Sequence, residues 1–291
     1  MSYLLCFGLG YSAQVLAHRL QLREQSIRIV GTTRPQTYQK IVRSQNGQQP
    51  MTSLLPFDRY HPLDPALFTD VSHVLISIPP DVIGDPVADI HGVDLIKSTP
   101  SWVGYLSTTG VYGDTQGAWV DETAPLRPST RRSLMRVVAE HTWITLWTQY
   151  KLPVHIFRLS GIYGRNRSAV DAVRKGQAHR VVKPGHVSSR IHVEDLAMVL
   201  EASMKQHDPG SIYNVCDDEP ASSQKVTAYA AELLGIPPPP AISWEQAQKI
   251  LSPLALTFYV DNRRVRNDHM KYKLGLTLQY PTYREGLRQC L

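Results

Sequence analysis

The sequence predicts an α/β fold built on a doubly wound parallel sheet. An apolar run, Tyr3 to Phe7, breaks at Gly8-Leu9-Gly10-Tyr11-Ser12-Ala13, and a helical pattern with Val15, Leu16 and Leu20 then leads to a second apolar run, Ile27 to Gly31. Further apolar runs recur at Ser53 to Phe57, Val74 to Ile78, Trp102 to Ser107 and Val154 to Leu159, separated by segments of helical period. Strands that alternate with helices need crossover connections, and these make the sheet parallel and cover both faces.

The opening strand, turn and helix carry the most chemical information. Gly8 permits a tight turn, Gly10 lets backbone amides approach a pyrophosphate, and the small Ala13 allows the helix to pack close to the strand. A pyrophosphate would then sit on the helix N-terminus. Residues Gly8, Leu9, Gly10, Tyr11, Ser12 and Ala13 are therefore expected to cradle a dinucleotide in a Rossmann-type fold. The second strand ends Gly31-Thr32-Thr33-Arg34. NAD sites usually place a carboxylate there for the ribose 2′-hydroxyl, whereas a guanidinium grips a 2′-phosphate with two parallel hydrogen bonds. Thr32, Thr33 and Arg34 thus point to NADP(H).

Residues 129–150 form the clearest helix, with Leu134, Val137, Val138, His141, Trp143, Ile144 and Trp147 giving a broad apolar face for a core or a dimer contact. A strand follows at Ser211 to Val215 and a helix near 222–235. Four consecutive prolines, Pro237 to Pro240, then read as a rigid connector. The expected organisation is a dinucleotide domain from residues 1–160, joined by later strands near 187–193 and 211–216, and a smaller C-terminal substrate lobe from most of 161–291.

Composition narrows the function classes. The net charge is +6, but residues 127–190 hold 13 Lys or Arg against two acids, a local +11. A small anionic substrate is expected; no arginine-rich block or aromatic-interleaved basic run supports nucleic-acid binding. The three cysteines, Cys6, Cys216 and Cys290, have no metal-ligand spacing, and the 11 histidines form no zinc motif. No metal is expected. Neither a signal peptide nor a membrane span is visible, so a cytoplasmic protein is expected.

Four segments carry a family resemblance: the opening glycine motif, Tyr105-Leu106-Ser107-Thr108-Thr109-Gly110-Val111-Tyr112-Gly113-Asp114, Arg158-Leu159-Ser160-Gly161-Ile162-Tyr163-Gly164, and Arg190-Ile191-His192-Val193-Glu194-Asp195-Leu196-Ala197. Together they resemble the extended short-chain dehydrogenases/reductases of the NAD-dependent epimerase/dehydratase type. The segments Tyr213 to Pro220 and Tyr280 to Leu287 are similar to its atypical YeeZ-like branch. The resemblance implies that Thr108 hydrogen-bonds a substrate oxygen, that Asp58 contacts adenine, and that Ser77, Ile78 and Pro79 flank the pyrophosphate and ribose. A loop cap is an equal alternative for Asp58.

The family's working Tyr and Lys fall at Arg132 and Arg136, counted back from Glu140. A guanidinium has no acceptor and does not deprotonate in proteins, so Arg132 cannot shuttle a proton. The pair can instead clamp an anion, with Arg165, His186 and Arg190 as further substrate contacts. Dehydration is disfavoured, because Thr109 and Gly110 stand where dehydratases place Asp-Glu. Gly161 replaces an Asn that holds substrate in many relatives. Tyr112 is the substitute proton donor considered first, beside Tyr163 and His186. The expected function is an NADP(H)-binding epimerase/dehydratase-like oxidoreductase acting on a small anionic metabolite, such as a nucleotide sugar, with homodimerisation through the long helix. The alternative is a catalytically silent NADP(H) sensor or scaffold.

Overall fold

The computed structural model describes residues 3–24, 26–44, 53–206 and 208–291. In chain order the strands are β1 (Tyr3–Phe7), β2 (Arg28–Thr33), β3 (Ser53–Pro56), β4 (His73–Ile76), β5 (Trp102–Thr108), β6 (Trp119–Val120), β7 (Val154–Leu159), β8 (Gly161–Tyr163), β9 (Arg180–Val182), β10 (Arg190–His192), β11 (Ile212–Val215), β12 (Ala241–Ser243) and β13 (Arg264–Val265). The helices are α1 (Tyr11–Arg23), α2 (Pro35–Ser44), α3 (Pro86–Ser98), α4 (Arg131–Tyr150), α5 (Ala169–Arg174), α6 (Val193–Lys205), α7 (Ser223–Leu233), α8 (Trp244–Ile250), α9 (Pro253–Leu256), α10 (Asp268–Leu274) and α11 (Tyr283–Arg288).

Seven strands form one sheet in the order β11-β7-β5-β4-β1-β2-β3. The pairs β1 with β2 and β4, β2 with β3, and β4 with β5 are all parallel, as the alternating pattern requires. All five residues of β1 are buried, the signature of a strand covered on both faces. Each expected strand of this sheet is present to within two residues, and α4 begins two residues later than expected.

Contacts divide the chain into two compact units, the first made of residues 1–107, 135–157 and 197–212, the second of 108–134, 158–196 and 213–291. The division is interleaved rather than a single cut near residue 160, because the chain leaves the first unit after the carboxyl ends of β5 and β7 and re-enters it through α4 and α6. The first unit has a core in which Phe7, Phe57 and Phe68 pack with Val74, Ile76, Val103, Tyr105 and Trp143. The second has its own smaller core of Tyr163, Val170, Val173, Ala230, Ala231, Tyr283 and Leu287. The expected strand near 187–193 is β10; it pairs with β8 in a separate two-stranded sheet. By contrast, β11 joins the seven-stranded sheet.

Candidate dinucleotide and substrate sites

Parallel pairing places the carboxyl ends of β1, β2, β3 and β4 at one edge of the sheet, where such sheets bind ligands. Gly8 leaves β1 with φ +91°, a conformation that side chains rarely adopt. A Cβ there would stand 2.6 Å from Ile78 Cγ2 and 2.9 Å from Ser77 Oγ. The turn is tied on both sides: the Gly8 amide donates to Thr32 Oγ1 at 2.9 Å, the Leu9 amide to the Thr32 carbonyl at 2.8 Å, and Ser77 Oγ to the Gly8 carbonyl at 2.5 Å. Thr32 and Ser77 are thus turn fasteners.

Gly10 differs from Gly8 in a way that decides the reading. It is the N-cap of α1 in extended backbone, no side chain caps the helix, and a Cβ built on it would meet nothing within 4 Å. An uncapped helix N-terminus beside open space, reached through a turn that excludes side chains, fits a pyrophosphate. Ser12 and Ala13 are buried beneath it. Arg34 directly follows β2, at the carboxyl edge of the sheet, and is exposed. These residues, all in the first unit, form a cradle suited to a dinucleotide. Asp58 is a loop cap: its Oδ1 accepts from the Tyr60 amide at 2.9 Å and from His61 Nδ1 at 2.7 Å. Burial is the largest single influence and raises its pKa; the bonds from His61 and Tyr60 together outweigh it and hold the carboxyl below its usual range.

The expected substrate residues are placed less uniformly. Thr108 Oγ1 accepts from the Gly110 amide at 3.1 Å, capping the 3₁₀ turn Thr109–Tyr112 and leaving the hydroxyl proton to donate. Tyr112 is buried; its hydroxyl donates to Asn214 Oδ1 at 2.7 Å and accepts from Arg158 Nη1 at 2.9 Å. Burial pushes that phenol up to about 12, against the pull of Arg158. Tyr163 is likewise buried and its phenol is raised by burial. His186 is buried and uses Nε2 on the Asp261 carbonyl at 3.0 Å. Burial and then Lys183 hold its pKa below the usual value. Arg190 spends Nη2 on Ser188 Oγ and the Ala221 carbonyl, while Arg165 is exposed.

The two helix arginines do not act as a matched clamp. Arg136 Nη1 donates to the Leu106 carbonyl at 2.7 Å and to the Tyr105 hydroxyl at 3.0 Å, fixing α4 to the end of β5. Arg132, one turn earlier, is exposed. The excess positive charge of residues 127–190 is therefore partly internal, since Arg158 is buried and Arg136 and Arg190 turn inward. Trp143, considered for a dimer contact, lies in the core; the exposed large hydrophobic residues of α4 are Leu134, Val138 and, at its last position, Tyr150. Among the described residues no group of three His, Cys, Asp or Glu could hold a metal, and no helix is long and apolar enough to cross a membrane.

Sequence reasoning missed Arg59, which joins two carboxylates across the same sheet edge, and Glu201, whose buried carboxylate takes Arg19, Arg23 and Lys205. These partners lie far apart in sequence, apart from the i,i+4 spacing of Glu201 and Lys205, and carry no motif.

Residues 93–216 match the NAD dependent epimerase/dehydratase family. Human dTDP-D-glucose 4,6-dehydratase is 29% identical over 119 residues, a match that spans 38% of this chain and 34% of that protein. Among solved structures, a functionally unknown conserved protein from Silicibacter pomeroyi is 47% identical, with a TM-score of 0.86, 99% of this chain and 97% of that one covered. UDP-glucuronic acid 4-epimerase from Bacillus cereus, in complex with UDP-glucuronic acid and NAD, shares the fold at 15% identity and a TM-score of 0.77, covering 99% of this chain and 97% of its own. The central segment, residues 93–216, is thus similar to the NAD dependent epimerase/dehydratase family, and the whole chain shares the fold of solved epimerases.

Proposed function

We propose that the chain binds NADP(H) on the β1–α1 turn and acts as an epimerase/dehydratase-like oxidoreductase on a small anionic metabolite, a nucleotide sugar being one such class. The observation that carries the reading is Gly10: its open side, next to an uncapped helix N-terminus, suits a pyrophosphate. Arg34 would hold the 2′-phosphate, with Thr33 beside it and Ser77 to Pro79 along the turn. The bound nicotinamide would supply or accept hydride. Thr108 keeps a hydroxyl proton that can be donated to a substrate oxygen. The relatives' complexes with a UDP-sugar and NAD support an anionic substrate class. Three free, buried thiols suit a reducing, cytoplasmic setting, and Leu134 and Val138 offer α4 a surface for self-association.

A second reading, an NADP(H) sensor without turnover, is favoured by one feature. Arg132 and Arg136 occupy the acid/base positions, and Tyr112 is buried with its proton held more tightly than usual. Calorimetric titration of NADPH and NADH against the wild type and Arg34→Ala tests the cofactor; substrate-dependent change in NADPH absorbance then separates enzyme from sensor. Turnover that survives Thr108→Ala undiminished would remove Thr108 from the chemistry.

A further inference from the structure

The loops that follow β3 and β4 leave the same edge of the sheet, and one side chain binds them together. Arg59, one residue beyond Asp58, reaches Asp81 with two hydrogen bonds, Nε to Oδ2 at 2.8 Å and Nη2 to Oδ1 at 3.0 Å. Its third nitrogen, Nη1, lies 2.8 Å from Asp89 Oδ2 in the first turn of α3. The guanidinium is mostly buried, with 14% of its side chain exposed. Asp81 is also the centre of a tight turn: its Oδ1 accepts from the Ile83 amide at 2.8 Å and the Gly84 amide at 3.1 Å, and its own amide donates to the Gly84 carbonyl at 2.9 Å. The turn holds Val82 and Ile83 outward, 71% and 68% exposed. The loop after β3 is anchored in turn to β2, by the Phe57 amide on the Thr33 carbonyl at 2.9 Å.

Two β-branched apolar side chains held in water on a fastened turn are costly unless something covers them. The turn stands at the ligand edge, five residues beyond the end of β4 and just past Ile78, whose Cγ2 closes on Gly8. We propose that Arg59 is a positioning residue for the dinucleotide: it locks the Asp81–Gly84 turn to the β3 loop and to α3, so that Val82 and Ile83 form a preformed apolar wall for the bound cofactor. All three nitrogens of Arg59 are engaged by carboxylates, so its role is to position the turn. A planar fork is required, because a lysine ammonium reaches one carboxylate where arginine reaches two.

The inference rests on the dinucleotide reading, and the test separates the two. NADPH affinity is measured by calorimetry at 15 °C for wild type, Arg59→Ala, Arg59→Lys and Asp89→Asn, with far-UV circular dichroism and apo Tm for each. The wall predicts that Arg59→Ala raises the Kd about tenfold with an unchanged spectrum, that Arg59→Lys recovers part of this, and that Asp89→Asn costs about threefold, since preorganisation is lost without loss of a contact. Val82→Ser with Ile83→Ser weakens NADPH while leaving apo Tm in place. Unchanged Kd in the Arg59 variants with a lowered Tm would overturn the inference and leave a purely structural clamp. Should Arg59→Ala fail to fold, Asp89→Asn and the double serine variant decide. A wild type that binds no dinucleotide would instead overturn the function proposed above.

Discussion

Alanine substitutions at Gly8 and Gly10, two residues apart, should behave in opposite ways. Gly8→Ala forces a side chain into φ +91° and sets its Cβ 2.6 Å from Ile78 Cγ2, so the fold itself suffers. The left-handed backbone alone costs roughly 1–2 kcal/mol, and the clash adds to it. Gly10→Ala meets no atom within 4 Å and keeps its extended φ of −88°. Alanine there gains about 0.4–1 kcal/mol by restricting the unfolded chain and loses roughly 0.5–1 kcal/mol as a poorer N-cap, so stability should hold within about 1 kcal/mol. What the added methyl does occupy is the space that backbone amides need to reach a pyrophosphate. Loss of one charge-assisted hydrogen bond to phosphate is worth roughly 1.5–3 kcal/mol, which is about 10–100-fold in Kd. Differential scanning fluorimetry with and without NADPH, followed by calorimetry, reads both effects. Gly10→Ala should melt like wild type without ligand and lose the NADPH-induced shift; Gly8→Ala should melt lower from the start. If Gly10→Ala binds NADPH as tightly as wild type, the open side of Gly10 does not face the pyrophosphate and the site is misread.

Other outcomes follow from the same geometry. Arg136→Ala removes the donor to the Leu106 carbonyl and the Tyr105 hydroxyl, and should destabilise by about 1–3 kcal/mol in a urea titration, whether or not any substrate is present. Tyr112→Phe removes the donor to Asn214 Oδ1 and leaves Arg158 Nη1 the longer bond to the Glu122 carbonyl at 3.3 Å; a loss of about 2 kcal/mol, or roughly 5 °C in Tm, is expected by calorimetry. His192 is 2% exposed, and burial lowers its pKa from 6.5 to about 4. The native state therefore refuses a proton that the unfolded chain accepts below pH 6.5. Its contribution is fully present above pH 6.5 and declines by about 3 kcal/mol as the pH falls to 4. Urea midpoints between pH 7.5 and 4 should fall in wild type and fall less in His192→Phe; parallel slopes would exclude His192 as the cause.

Much of the fold was legible because it depends on local pattern. The run Tyr3 to Phe7, the glycine turn and the period of α1 each fix neighbouring residues, and the α4 stripe does the same over five turns. The candidate dinucleotide residues from Gly8 to Arg34 could be named for the same reason: they lie within one βαβ unit, and the positive φ of Gly8 calls for glycine. The rest depends on pairing at a distance. Nothing in the sequence around Tyr112 signals Asn214, which is 102 residues away, nor around Arg59 the aspartate 22 residues on. Helical spacing put Arg132 and Arg136 on one face, yet it could not reveal that Arg136 reaches a carbonyl in β5 while Arg132 stays in water. The interleaved units were hidden likewise, since contacts rather than sequence order define them.

The central claim is that the first unit holds NADP(H) with Arg34 on the 2′-phosphate. Side-by-side calorimetric titration of NADPH and NADH on cofactor-stripped protein, repeated with Arg34→Ala, tests it most directly. NADPH should bind at least about tenfold more tightly than NADH, and Arg34→Ala should abolish that preference while leaving NADH affinity and Tm unchanged. Equal or tighter NADH binding would contradict the role of Arg34, and no binding of either would contradict the dinucleotide site itself.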